Sequence, residues 1–107
     1  MYAKKYLNFL RSLCKCGKKR KHLLKACTKE HIYALCECAE NLLVGRVPLN
    51  SKQKTKLKKH KSSMLHLADK KVGWRKKKKL ILQKGGGLLT TILSVALPAL
   101  IGLFTSK

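Results

Sequence analysis

The chain has 107 residues, of which 26 are Lys or Arg and four are Asp or Glu, for a formal net charge of +22. That length allows one domain with a small core, and that charge opposes compaction until a polyanion neutralises it. Four acids and no phosphate-cradling glycine motif leave little from which to build a nuclease, hydrolase or transferase site. The chain is therefore read as non-enzymatic, with no cofactor and no metal.

Nucleic acid is the first polyanion to consider and an anionic membrane surface the second. Lysine supplies 22 of the 26 cations. A lysine is a hydrated point charge, whereas an arginine forks onto phosphates and base edges, so this surface favours sequence-tolerant binding over base readout. All four acids (Glu30, Glu37, Glu40, Asp69) fall in the middle of the chain, which leaves both ends almost purely cationic.

Tyr2, Tyr6, Phe9, Leu10 and Leu13 recur at helical spacing and predict a short amphipathic helix ending near Gly17. The tetrad Lys18, Lys19, Arg20 and Lys21 follows, with the look of a nuclear-localisation or phosphate-contact cluster, or of a solvated helix start. Leu23, Leu24 and Cys27 begin another short apolar face. Thr28 is placed to cap the next helix, with Glu30 in its first turn. Ile32, Leu35, Cys36, Ala39, Leu42 and Leu43 form its apolar stripe, Gly45 is expected at C′, and Pro48 blocks continuation.

Asn50 or Ser51 is expected to cap a second long helix over Lys52–Ala68, with Leu57, Met64, Leu65 and Ala68 inward. Lys52, Lys54, Lys56, Lys58, Lys59 and Lys61 crowd its other faces, and the i,i+4 like-charge pairs Lys52/Lys56 and Lys54/Lys58 cost about 0.2–0.5 kcal/mol each on an isolated helix. A phosphate backbone along that face would remove the penalty. Val72–Trp74 reads as a joint from which Trp74 folds back onto the core. Arg75, Lys76, Lys77, Lys78 and Lys79 are then five consecutive cations, followed by Leu80–Leu82 and Lys84.

At Gly85, Gly86 and Gly87 the composition changes abruptly, with no charged residue from Gly85 to Ser106. Leu88–Phe104 would make a helix about 25 Å long, short of the roughly 20 residues that a membrane span needs. The small or polar stripe Thr90, Ser94, Pro98 and Gly102 repeats every four residues. Length and stripe favour an interfacial or transiently inserting segment over a true span or a helix docked on protein.

Met1–Leu10 lacks the apolar run and cleavage site of a secretory signal, so Cys14, Cys16, Cys27, Cys36 and Cys38 are expected as reduced thiols in a cytosolic or nuclear setting. Cys14-x-Cys16 and Cys36-x-Cys38, with His22 and His31, compete as a zinc set. However, Cys36 and Cys38 point about 200° apart on a regular helix, so buried free thiols are the favoured reading. His60 and His66 read as ordinary surface or boundary residues.

The run Lys76–Lys79, Lys84, Gly85–Gly87, Leu88, Leu89 and Ile92–Phe104 with Pro98 resembles the C-terminal half of adenovirus pX, the precursor of core protein mu. It also resembles the X-like core proteins of Polinton (Maverick) and adintovirus elements. The segments Cys38–Gly45 and Leu49–Lys54 look similar to the Polinton-type proteins. The resemblance implies a late virion-core protein, in virion and host nucleus, that binds and condenses double-stranded DNA. It also implies a viral maturation protease as a further partner, cutting at Gly85–Gly87 after Gly86. Gln83 stands where that family more typically has a large aliphatic residue, and lysine stands where mu is arginine-rich.

The expected architecture is all-α: a small irregular bundle of three to four helices plus a separate hydrophobic C-terminal helix. Residues 1–74 would form a basic helical domain, 75–87 a polybasic linker with a triglycine hinge, and 88–107 a hydrophobic tail that reaches a membrane or an assembly partner through Leu88–Phe104. The second function class is a membrane-associated protein, tail-anchored or peripheral, whose polybasic flank reads anionic lipid.

Overall fold

Small residues decide which helix takes the centre. Residues Lys29–Leu43 (α4) carry Ala34, Cys36, Cys38 and Ala39 among larger apolar side chains, and all four are buried together with Ile32, Leu35, Asn41 and Leu42. Short side chains on several faces let neighbouring helices approach α4 from several directions. The apolar stripe expected from periodicity is thus one part of a helix that is buried over most of its circumference.

The computed structural model describes residues 2–15, 19–45, 48–84 and 86–105, and every regular element among them is helical. Around α4 lie Tyr2–Lys5 (α1), Leu7–Lys15 (α2), Arg20–Lys25 (α3), Ser51–Lys58 (α5), Lys61–Ala68 (α6), Trp74–Lys84 (α7) and Gly86–Thr105 (α8). α4 packs against α1, α2, α6, α7 and α8. The radius of gyration is 12.7 Å and the principal extents are 32 × 29 × 28 Å. A body so nearly isotropic leaves no helix among the described residues projecting from it.

Local chemistry sets the ends of these helices. Asn50 and Gln53 form a reciprocal capping box: Gln53 N–H donates to Asn50 Oδ1 at 2.8 Å, and Asn50 N–H donates to Gln53 Oε1 at 3.0 Å. Thr28 N–H donates to His31 Nδ1 at 3.1 Å, so the N-cap of α4 is closed by an imidazole. The same ring packs on Tyr6 and Phe9, with centroids at 4.7 and 4.3 Å, and the Tyr6 hydroxyl donates to Glu30. Tyr6, the turn residue between α1 and α2, and Phe9 of α2 are thereby clamped to the start of α4. Gly45, at φ +76°, follows its last turn as expected; an L side chain there would enter the strained left-handed region.

Three expectations change. The long helix over Lys52–Ala68 is broken at Lys59–His60, where His60 N–H donates to Leu57 O in an i→i−3 bond of 3.0 Å. That tighter turn resets the helical phase. Leu57, Met64 and Leu67 face inward while Leu65 is 52% exposed. The basic stretch expected as a linker is helical through Lys84, with Ile81 fully buried and Trp74 packed on the core as foreseen.

The C-terminal helix does not stand apart. Leu88, Leu89, Ile92, Leu93, Val95, Ala96 and Leu97 are all buried, about a third of the buried apolar side chains, and they join the same core as α2 and α4. Thr90, Ser94, Pro98 and Gly102 form its exposed stripe. Pro98 removes the amide that would bond Ser94 O, and it does so on the exposed side of the helix. No single helix among the described residues is long and apolar enough to cross a membrane. α7 and the first part of α8 meet that test only together, bent by 106°.

Candidate nucleic-acid interface

α5 buries only Leu57, so Lys52, Lys54, Lys56 and Lys58 all point into solvent around a single apolar anchor. Lys59 and Lys61 continue that surface across the turn into α6. No acid sits in the first turn of α5, so its positive end carries only the neutral Asn50–Gln53 cap. Lys19 at the N-cap of α3, Lys21 within it, and Arg75, Lys76, Lys79 and Lys84 on α7 are exposed as well. Arg75 lies 5.5 Å from the Trp74 ring centroid.

Between the α5–α6 turn and the start of α8 runs a groove of about 290 Å³. Lys56, Lys59 and His60 form one wall, and Gly87, Thr90, Thr91 and Ser94 the other. The Thr91 hydroxyl donates to Gly87 O at 2.9 Å and Ser94 to Thr91 O at 3.3 Å, which ties both hydroxyls to the α8 backbone. A phosphate entering there would meet ammonium groups opposite the positive end of a long helix.

Not every expected cation is available to a ligand. Arg20 is a clamp: its Nε donates to Leu13 O at 2.8 Å, one Nη to Cys14 O at 3.4 Å and the other to Thr90 Oγ1 at 2.9 Å, which closes the end of α2 and joins it to α8. Lys78 Nζ donates to Lys25 O and Cys27 O at 2.8 and 3.0 Å, capping α3. Lys77 is 6% exposed. Arg20 and Lys78 serve the fold, and periodicity cannot reveal it because their partners lie on other elements. Lys18 and Gly85 fall outside the described residues, while Gly86 opens α8 and Gly87 is exposed.

Lys4, Lys5, Lys15, Lys70 and Lys71, which stand outside the basic runs expected to meet phosphate, are all exposed as well. Lys5 lies 3.9 Å from Glu30, but both side chains are well exposed, so the pair contributes little.

Cys27, Cys36 and Cys38 are buried free thiols. Burial raises Cys27 and Cys36 to about 11 and Cys38 to about 12; nearby Lys78 and Lys77 only partly offset this for Cys27 and Cys36. No group of three or more His, Cys, Asp or Glu side chains among the described residues is arranged to hold a metal. A raised pKa means less thiolate at neutral pH. These three thiols should therefore be alkylated by iodoacetamide at pH 7.5 on the order of a hundredfold more slowly than free cysteine. Peptide mapping by mass spectrometry checks this, and rapid labelling of all three in folded protein would contradict their burial.

No family model, no curated protein and no solved structure matches the chain.

Proposed function

We propose that this protein is a non-enzymatic, lysine-rich protein that binds and condenses double-stranded DNA without reading its sequence, in the manner of the virion-core proteins it resembles. The observation that carries this reading is the cationic coat of α5 and the α5–α6 turn. There Lys52, Lys54, Lys56, Lys58, Lys59 and Lys61 are all exposed around one buried leucine. Burial of a single side chain does not account for six exposed cations between Lys52 and Lys61; a polyanion does.

The membrane reading is the weaker one, because the apolar face of α8 that would enter lipid is already occupied by the core. Cutting at Gly85–Gly87 by a maturation protease would sever α8 from α7 within a folded body.

Duplex binding across a salt series, on several unrelated sequences, tests the proposal. The expected result is a steep log–log salt dependence, about −0.9 per phosphate contacted, with the same affinity for each sequence. A slope near zero, or binding confined to anionic vesicles, would remove it.

A further inference from the structure

At the end of α4 lies an apolar groove that duplex binding does not require. It holds about 200 Å³ between the last turn of α4, Leu49, α5 and the start of α6. Leu42, Leu57 and Met64 are its buried floor, while Leu43 and Leu49 are half-buried at its sides. Val44, 57% exposed, sits at the same end of α4.

Lys54, Lys58 and Lys61, all exposed, complete the lining, and no acid is part of it. Lys54 and Lys58 stand at i and i+4 on α5 and share a face, and Lys61 follows across the turn. The chain's own acids are placed elsewhere. Glu30 lies beside Tyr6 and Lys5. Glu37 and Glu40 line a separate cavity between α4, α6 and α7, which Lys77 also lines. Asp69 accepts from Lys71 N–H at 2.9 Å in the turn after α6.

An occupant of this groove therefore brings its own negative charge and an apolar group small enough for the floor. The volume is below the roughly 300–1,000 Å³ of small-ligand sites and suits a side-chain anchor. A duplex supplies phosphates but no protruding apolar group. An anionic bilayer supplies charge, yet insertion needs apolar side chains that stand proud of the surface, and here Leu42, Leu57 and Met64 are recessed behind lysines. A second copy on a two-fold axis would set these lysines against their own counterparts. An acidic polypeptide meets both demands.

We propose that this groove docks an acidic polypeptide segment bearing a leucine-like anchor, with the aliphatic side chain on Leu42, Leu57 and Met64 and flanking carboxylates on Lys54, Lys58 and Lys61. Those lysines also belong to the surface proposed for duplex DNA, so segment and duplex exclude each other. That exclusion rests on the duplex reading; the docking does not.

Fluorescence anisotropy on the full chain tests the docking with a labelled glutamate-rich peptide of about twelve residues carrying leucines at i and i+4. The control is the same peptide with serines for the leucines. Both carry the same charge, so the general attraction of a polycation cancels between them. The leucine peptide should bind at least about tenfold more tightly. Replacing the half-buried Leu43 and Leu49 together (Leu43→Ser, Leu49→Ser) should remove most of that preference and leave serine-peptide binding unchanged. Should the double variant lose its helical circular dichroism, the two peptides on the native chain and Leu49→Ser alone still decide. Equal affinity for the two peptides, or a preference unchanged in a folded groove variant, overturns the proposal. Dimerisation in sedimentation, or binding to phosphatidylserine vesicles, that the same variant abolishes would give the groove to a second copy or to lipid and overturn it as well. In competition, the leucine peptide should displace labelled duplex at about a tenfold lower concentration than the serine peptide; equal displacement overturns the exclusion. The direct titration contains no DNA, and Leu49→Ser should leave the salt slope on duplex DNA unchanged, so docking and duplex binding fail independently.

Discussion

A chain ending at Gly86 is expected not to fold. Leu88, Leu89, Ile92, Leu93 and Leu97 are each at most 5% exposed, and they pack with Leu10 and Leu13 of α2, with α4 and with Ile81 of α7 in one core. Truncating one such side chain to alanine costs about 2–5 kcal/mol. Domains of this size hold only about 5–15 kcal/mol in total. Loss of the whole helix also strips Arg20 of Thr90 and leaves the +22 body to repel itself without the apolar burial that opposes repulsion. Circular dichroism should show most of the helical signal gone and no cooperative melt. A truncated chain that melts cooperatively within a few degrees of the full one would show that α8 is dispensable and would restore the separate tail. A full-length chain nicked at the glycines after folding should instead keep α8 in place, because the contacts that hold it are non-covalent. Truncation and nicking are therefore different experiments, and a processing role for Gly85–Gly87 has to be tested by nicking.

The second large effect separates lysines that meet ligand from lysines that hold the fold. Replacing Lys52, Lys54, Lys58 and Lys61 with Gln removes four exposed charges from α5 and the start of α6 and should leave stability unchanged or slightly raised, because like-charge neighbours are removed. If all four contact phosphates, the log–log salt slope on duplex DNA falls by about 3.6, and affinity at 0.1 M salt falls by roughly a thousandfold. Lys78→Met should do the reverse. It leaves the slope nearly unchanged, because that ammonium is engaged by the carbonyls ending α3. It should lower stability by about 1–3 kcal/mol, as charge-assisted hydrogen bonds are lost from a helix end. If the quadruple variant kept its slope, the interface would lie elsewhere, and the exposed cations Arg75, Lys76 and Lys79 of α7 would be the next to test.

Much of this architecture was legible in the sequence because it is written in local chemistry. Helical periodicity placed α4, Asn50 and Thr28 marked where helices begin, and Gly45 marked where one ends. Each of those signals acts within about one turn of the chain. The charge balance likewise depends on no fold. The turn at Lys59–His60 was less visible, since nothing in that lysine-rich stretch breaks a helix; the i→i−3 bond there lets Leu57 and Leu67 both reach the core.

What α8 packs against could not be read locally. A run of leucine, isoleucine, valine and alanine is equally at home in lipid, in a partner's groove or in its own core, and the choice belongs to whichever apolar surface is within reach. Here α2, α4 and α7 supply that surface from positions far away in sequence. The fates of Arg20, Lys77 and Lys78 were hidden for the same reason. One lysine in a run looks like the next, and only the helix end or cavity wall brought against it in three dimensions sets a structural cation apart from a solvated one. The sequence by itself determined that the chain is helical, cationic and capped where it is. The tertiary structure decided that its apolar end joins the core, that Arg20 and Lys78 are tied to other helices, and that Lys77 is buried.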